Sequence, residues 1–204
     1  MTFLKATITD IQTPIEDVRC LSLKPAENFR FQAGQYIRIY HEEFAPRSYS
    51  IASAPHKNGE FELHVKATTD GLVSRYLLES VTEGETITFD GPFGDNIFHP
   101  EQEGPMLCVA GGVGIVPLKA IIEAALDKDP LRHIILLWGA NHEKELYLGS
   151  FFKTLEEQHE HFEYKTVTEQ PVTNMIENTV AGTEFGKTHL CGPWGMVEKA
   201  HTQM

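Results

Sequence analysis

Cysteine is scarce in this sequence of 204 residues. Only Cys20, Cys108 and Cys191 are present, far apart and without a Cys-x-x-Cys pair. A disulfide framework needs an even, dense set of cysteines, and a [2Fe–2S] cluster normally takes four thiolates. We therefore expect neither a disulfide scaffold nor an iron–sulfur centre within this chain.

Positive charge and long apolar runs are also lacking. The sequence has 17 lysine and arginine residues against 29 aspartate and glutamate residues, a formal net charge of -12. A binder of the phosphate backbone needs clustered cations, so we expect no nucleic-acid partner. No apolar run approaches the roughly 18 residues of a membrane span, and the first five residues lack a signal-peptide pattern. We expect a cytoplasmic protein whose acidic surface suits a small substrate or a basic protein partner.

Histidine is plentiful, but its spacing predicts no metal site. The sequence contains ten histidines. His159 and His161 lie two residues apart in a Glu- and Gln-rich segment that we expect to be helical. Positions i and i+2 of a helix do not face each other, and such charged segments are usually solvated. We predict no bound metal.

The pattern of apolar residues changes near Pro105. Before it, short alternating runs separated by turn residues predict strands, with one helix at 71–78, which is typical of a small antiparallel β-barrel. After it, continuous apolar runs at 106–110 and 134–138 alternate with helical patterns, which is typical of strands buried in a parallel sheet. The sequence predicts two domains, an antiparallel β-barrel over 1–102 and an α/β doubly wound parallel sheet over 103–204.

Two motifs in the second half follow predicted strands. Gly111-Gly112-Val113-Gly114 opens a helix that also contains Pro117, and glycines there let the backbone approach a pyrophosphate at the helix N-terminus. The alternative is a tight turn that binds nothing. Cys191-Gly192-Pro193 places a thiol at the carboxyl end of a strand, where such sheets bind ligands. The alternative for Cys191 is a small buried core residue.

Two further motifs lie in the first half. Arg47-Ser48-Tyr49-Ser50 presents a cation, an aromatic ring and hydroxyl groups on one extended segment, with Arg47 and Tyr49 on the same face. The alternative is an ordinary strand of mixed polarity. Gly71-x-x-Ser74 opens the predicted helix of this half and is a potential phosphate seat. The alternative is a helix start with Ser74 as its cap.

These four motifs, in this order, resemble the ferredoxin–NADP reductase superfamily over essentially the whole chain. The resemblance implies an NAD(P)H-dependent flavoprotein oxidoreductase with an FAD-binding barrel, FMN being the alternative flavin, and a nicotinamide-binding domain. Hydride would pass from NAD(P)H to flavin N5, with Ser50 near N5 and Cys191 beside the nicotinamide C4 as catalytic residues that act by position and electrostatics. Arg47 would contact the flavin phosphate and Tyr49 would pack on the isoalloxazine.

The resemblance assigns further residues to each cofactor. The flavin loop matches 66–74, and the flavin-binding residues are Arg47, Ser48, Tyr49, Ser50, His64, Val65, Lys66, Gly71, Leu72, Val73 and Ser74. The nicotinamide-binding residues are Gly111, Gly112, Val113, Gly114, Pro117, Gly139, Ala140, Cys191, Gly192 and Pro193. Gly139 and Ala140 belong to the segment near the adenosine ribose. Many members of the family have Thr where Val113 stands, so one hydrogen bond to the nicotinamide nucleotide would be missing.

The electron acceptor is left open by the residues. Tightly held flavin would pass electrons to a separate protein such as a ferredoxin or an oxygenase component, and the Gly71-x-x-Ser74 seat favours this. Loosely held flavin would make the chain a flavin reductase that releases reduced flavin, which the lack of a further strand pattern after 201–204 favours. A non-catalytic flavin- or nucleotide-binding regulatory subunit ranks below both, because the motifs for both cofactors are present.

The choice of nicotinamide is expected to fall on NADH. An NADPH site needs cationic side chains for the ribose 2′-phosphate. The two candidate segments, 139–144 and 166–170, contain Lys144 together with the carboxylates of Glu143 and Glu169. No arginine follows Arg132.

Overall fold

The computed structural model describes residues 3–55, 59–67 and 71–203. The chain forms two compact units. The first contains residues 1–98 together with 119–121, and the second contains residues 99–118 and 122–204.

The first unit is built on a six-stranded antiparallel sheet. Its strands are β1 (Leu4–Ile15), β2 (Val18–Pro25), β3 (Tyr36–Tyr40), β4 (Arg47–Ser50), β5 (Phe61–Lys66) and β6 (Thr86–Phe93). They follow the order β4-β3-β6-β1-β2-β5. An antiparallel bridge between Ile51, directly after β4, and Leu63 of β5 connects the two outer strands. The predicted antiparallel barrel-like sheet is confirmed.

Alternation of side chains along the strands produces the core of this unit. In β3, Ile37 and Ile39 are buried while the residues between and beside them are half-exposed, as expected for side chains that point to alternate faces. Three rings, Phe29, Phe61 and Phe89, pack with centroids 5.1 to 5.7 Å apart. Burial of each such side chain stabilises the fold by about 1.5–3 kcal/mol.

The helix of the first unit is α1 (Leu72–Glu79), one residue later than predicted. Val73 and Leu77 are buried at helical spacing. The N-cap is Gly71, and the Ser74 hydroxyl donates to the Gly71 carbonyl oxygen at 2.8 Å. The interpretation of Ser74 as the helix cap is therefore wrong, because Gly71 occupies the N-cap position and Ser74 lies inside the helix.

The second unit is a four-stranded parallel sheet with helices. Its strands are β7 (Met106–Gly111), β8 (Ile134–Ala140), β9 (Phe162–Thr168) and β10 (Lys187–Cys191), in the order β10-β7-β8-β9. The helices are α2 (Ile115–Lys128), α3 (Gly149–Gln158), α4 (Ile176–Val180) and α5 (Trp194–Thr202). Every residue of β7 from Met106 to Ala110 is fully buried, which confirms the predicted parallel sheet.

Some elements differ from the sequence expectation. Helix α3 ends at Gln158 and β9 begins at Phe162, so His159 and His161 lie in the connection rather than in a helix. The charged composition suggested a helix, but the chain must turn there to place β9 in the sheet. No helix among residues 3–55, 59–67 and 71–203 combines the length and apolar character that a membrane crossing requires.

His189 makes the stability of this unit pH-dependent. Its side chain is buried on β10, and burial, with the nearby charges of Lys187 and Arg132, lowers its pKa from 6.5 to about 4. Unfolding raises the pKa again, so the unfolded chain binds the proton first as the pH falls. We expect the free energy of unfolding to fall by up to about 3 kcal/mol between pH 6.5 and 4.

Urea denaturation across this pH range measures the effect. The variant His189→Gln should lose this part of the pH dependence, whereas replacement of the exposed His201 by Gln should keep it. An unchanged slope in His189→Gln would contradict the assignment.

Candidate functional site

Two turns meet at the carboxyl edge of the parallel sheet. Strands β7 and β10 run side by side, with Cys191 paired to Ala110. A Cβ atom added to Gly114 would lie 2.1 Å from the Cys191 carbonyl oxygen, and one added to Gly111 would lie 2.7 Å from Met196 Sδ. Glycine is therefore required at Gly114, where the neighbours are backbone atoms of the turn after β10, whereas a side chain at Gly111 would displace the flexible end of Met196.

The middle glycine of the turn has a different role. Gly112 has a φ of 53°, a left-handed conformation that disfavours residues with a Cβ. A Cβ added there would meet no atom of the described residues within 4 Å. The carbonyl oxygen of Gly112 accepts a 2.9 Å hydrogen bond from the indole Nε1 of Trp138 on β8. The buried Trp138 thus fixes the carbonyl group of Gly112, while the Cβ direction of Gly112 points into space that no described residue fills.

A cavity of about 220 Å³ lies at this edge. Its lining residues come from the carboxyl ends of β7 and β8 and from the segments that follow the four strands. They are Gly111, Gly112, Gly139, Ala140, Asn141, Glu145, Gln170, Pro171, Val172, Pro193 and Met196. The walls combine small residues and backbone with a few polar groups. This is the composition expected of a site for a small organic ligand at the carboxyl ends of parallel strands.

Five of the residues predicted to bind the nicotinamide nucleotide line this cavity, namely Gly111, Gly112, Gly139, Ala140 and Pro193. The other predicted residues lie nearby in the chain. Gly114 packs against Cys191 and Gly192, Val113 is exposed, and Pro117 lies in the first turn of α2. Cys191 is half-exposed.

Sequence reasoning did not select several lining residues, including Glu145, Gln170, Pro171 and Val172. The available signal was their position after the second and third strands of the sheet, because the carboxyl ends of parallel strands share one edge. Glu169, directly before Gln170, has a φ of 62°. This left-handed conformation is uncommon for a residue with a side chain.

In the first unit, β4 presents the predicted flavin segment. Arg47 and Ser48 are exposed, whereas Tyr49 and Ser50 are half-buried. Arg47 pairs with Ile39 and Tyr49 with Ile37, so the two side chains share one face, as predicted. Burial raises the pKa of Tyr49 to about 12. The phenol therefore stays neutral at physiological pH and can donate a hydrogen bond.

Strand β5 contains His64 and Val65, two of the residues predicted to bind flavin. Both side chains are buried. The Glu62 carbonyl oxygen accepts from Ala52 N at 2.7 Å, whereas Ala67 N bonds to Asp17 O on the β2 side. Peptide groups alternate in direction along a strand, so those of His64 and Lys66 point away from β2.

Helix α1 also contains predicted flavin-binding residues, some buried and one exposed. Val73 and Ser74 are buried, with the Ser74 hydroxyl bonded to the Gly71 carbonyl oxygen, while Leu72 is exposed. Gly71, at the start of the helix, has extended backbone. Within the predicted flavin loop 66–74, residues 68–70 lie outside the described residues.

Three possible metal ligands come together in the first unit. Among the residues that the structure describes, Cys20, Glu62 and His64 have ligand atoms within 4.8 Å of one another. Lys119 Nζ lies 2.9 Å from Glu62 Oε2, so a cation already neutralises this carboxylate. Burial, with the charge of Glu62, raises the pKa of Cys20 to about 12, which keeps the thiol protonated. This cluster is an ion-pair network around Lys119.

Comparison with known families assigns a domain family to each unit. Residues 5–98 match the oxidoreductase FAD-binding domain family, and residues 108–202 match the oxidoreductase NAD-binding domain family. The chain belongs to the ferredoxin–NADP reductase superfamily. The barrel-like sheet and the parallel sheet are thus the FAD-binding and NAD-binding domains of this superfamily.

Relatives with similar sequences are reductase components. The chain is 30% identical over 205 residues to the naphthalene 1,2-dioxygenase system ferredoxin–NAD(P)+ reductase component of Pseudomonas putida, covering 96% of this chain and 62% of that protein. It is 30% identical over 210 residues to the reductase subunit of an aromatic O-demethylase from Amycolatopsis, covering 96% of this chain and 63% of that subunit. The chain thus spans about three fifths of the length of these relatives.

Solved structures show the same fold. The cytochrome P450 reductase of Amycolatopsis superposes with a TM-score of 0.89 at 29% identity, covering 99% of this chain and 65% of the other. A ferredoxin NADP+ reductase from Neisseria gonorrhoeae, with bound FAD and NADP, gives a TM-score of 0.83 at 21% identity, covering 100% of this chain and 90% of the other. This second likeness concerns the fold alone.

Proposed function

We propose that this chain is the flavin- and nicotinamide-binding part of an NAD(P)H-dependent reductase, with domains over 1–102 and 103–204, that passes electrons to a separate protein acceptor. The observation that carries the proposal is the glycine turn packed on the Cys-Gly-Pro turn beside a cavity of about 220 Å³ in an NAD-binding domain. An FAD-binding domain precedes it in the same chain.

The residues at the carboxyl edge fit a nicotinamide nucleotide. The glycine turn leads directly into α2, a helix of 14 residues whose N-terminus favours a pyrophosphate. The indole N–H of Trp138 donates a hydrogen bond to the Gly112 carbonyl oxygen, so this contact holds the loop in place without a ligand. Cys191, half-exposed at the end of β10, acts by position beside the nicotinamide ring rather than as a nucleophile.

The residues of the first unit fit a flavin. Arg47 is an exposed cation for a phosphate, and Tyr49 offers a ring and a neutral hydroxyl group. Ser50 supplies a hydroxyl group near the reacting flavin nitrogen. The part of β5 that contains His64 and Lys66, with the start of α1 at Gly71, would lie along the rest of the flavin. When bound, the flavin accepts hydride and gives up electrons singly, and the protein contributes placement.

The relatives favour a protein acceptor over free flavin. Those named above are reductase components of a dioxygenase system and of an O-demethylase. By this likeness, the acceptor is a ferredoxin or an oxygenase component. Release of reduced flavin as a product stays a prediction without such support.

One experiment tests the proposed function. The purified protein should carry about one FAD per chain, retain it through gel filtration, and be bleached by NADH without oxygen. Ferricyanide and a ferredoxin should then be reduced rapidly, while the rate should not depend on added free FAD. Protein that binds neither FAD nor FMN would refute the proposal, and saturable dependence on free flavin would instead identify a flavin reductase.

We expect the protein to prefer NADH, because the described residues that line the cavity include a carboxylate and no lysine or arginine. Glu145 lines it together with Gln170, whereas Lys144 does not. A carboxylate repels a ribose 2′-phosphate, so kcat/KM for NADH should exceed that for NADPH by about tenfold or more, equivalent to about 1.4 kcal/mol.

A charge reversal locates the determinant. Glu145→Arg should raise kcat/KM for NADPH by about tenfold, since a charge-assisted hydrogen bond becomes available. Glu143→Arg adds the same charge two residues away and outside the cavity, and should have little effect. An equal response in both variants would mean that bulk charge, not the pocket, sets the preference.

A further inference from the structure

Lys119 is a buried cation at a place where the site described above does not use it. It lies within α2 and groups with the first unit. Its side chain is only 8% exposed. The ammonium donates hydrogen bonds to the Ala52 carbonyl oxygen at 3.1 Å and to Glu62 Oε2 at 2.9 Å. One side chain thus connects the segment after β4 to strand β5.

Glu62 is held from several directions. Its other carboxylate oxygen accepts a 2.9 Å hydrogen bond from His64 Nε2. Its backbone N donates to Ser53 Oγ at 3.1 Å, and its carbonyl oxygen accepts from Ala52 N. Burial alone would raise the pKa of Glu62, but the hydrogen bond from His64 and the charge of Lys119 outweigh it and lower the pKa to about 2. The carboxylate is therefore charged whenever the protein is folded at ordinary pH.

This network lies between the two flavin-binding segments of the first unit. Ala52 follows Ser50 by two residues, and Glu62 precedes His64 by two residues. Ile51 and Leu63, the residues between, form the bridge that joins the two segments. Ala52 and Glu62 thus lie in the same paired region as Ser50 and His64.

We propose that Lys119 is a positioning residue for the flavin, which steadies the Ser50 segment against β5 by adding a side-chain link between Ala52 and Glu62 to the backbone pairing of the two segments. The inference rests on the proposed function and deepens it. An apolar side chain at 119 removes the donor from a buried carbonyl group and a partly buried carboxylate. The two segments then keep their backbone hydrogen bonds but lose the side-chain link between them.

The test compares three lysine variants by FAD titration and by visible circular dichroism of the bound flavin. In Lys119→Met, the Kd for FAD should rise about tenfold or more and the flavin spectrum should change, since hydrogen bonds to charged groups are lost. Lys119→Arg keeps the charge and the donors and should restore most of the affinity. Lys128→Met, at the exposed end of the same helix, should match the wild type.

The outcomes separate positioning from stability alone. A folded Lys119→Met with a lower Tm but the wild-type Kd and flavin spectrum would overturn the proposal. If Lys119→Met does not fold, Glu62→Gln takes its place, because it preserves size while removing the charge that holds the ammonium. Wild-type flavin binding and spectrum in Glu62→Gln would then overturn the proposal. Failure of the wild type itself to bind flavin would refute the proposed function instead.

Discussion

Gly114→Ala is expected to slow the reduction of bound flavin by NADH about 100-fold or more, while FAD stays bound. The added Cβ would lie 2.1 Å from the Cys191 carbonyl oxygen and 2.7 Å from Gly192 N. Both are backbone atoms, so the two turns must separate. A displacement of about 1 Å in a reacting pair is sufficient to cost about 100-fold in rate. Stopped-flow spectroscopy under anaerobic conditions measures the effect.

A second glycine provides the control. Gly149, at the start of α3, would bring a Cβ no closer than 3.7 Å to Tyr164 Oη, which is an ordinary contact. Gly149→Ala should therefore reduce flavin at the wild-type rate. Wild-type kinetics in Gly114→Ala would show that the packing of the two turns is not needed for hydride transfer.

Arg47→Ala is expected to weaken FAD binding by about ten- to a hundredfold, because a charge-assisted hydrogen bond contributes about 1.5–3 kcal/mol. Arg47 is exposed at the start of β4, on the same face as Tyr49. Removal of an exposed side chain should leave the fold intact. Fluorescence titration of the apoprotein with FAD gives the Kd directly.

The matched control is Arg30→Ala, which removes the same charge from another exposed position of the first unit. It should leave the Kd for FAD unchanged. Equal weakening in both variants would mean that Arg47 acts through net charge and does not contact a phosphate.

The sheets could be predicted because their patterns are local. Alternation at Ile37 and Ile39 predicts one buried face of β3, and the continuous apolar run of β7 predicts burial on both faces. The connection at His159 and His161 could not be predicted, because a charged segment of this composition suits a helix as well as a turn. The position of β9 in the sheet decides between them.

The candidate site also contains residues that the sequence could predict and residues that it could not. Gly111 and Gly112 were predictable, since glycines between a strand and a helix indicate a turn in which side chains would not fit. The position of Glu145 in the cavity wall was not predictable, because it depends on how the connection after β8 is placed in the folded chain. His64 shows the opposite case: the sequence marked it as a flavin-binding residue, but the fold buries its side chain against the Glu62 carboxylate.

The sequence by itself determined the order of the two domains, the antiparallel and parallel sheets, and the glycine and Arg-x-Tyr-Ser motifs. These follow from periodicity and steric limits within short segments. Only the tertiary structure decided that Lys119 bridges Ala52 and Glu62, that Gly114 packs against Cys191, and that His189 is held neutral by burial. Such contacts join residues far apart in the chain, and their distances depend on the register and packing of whole strands and helices.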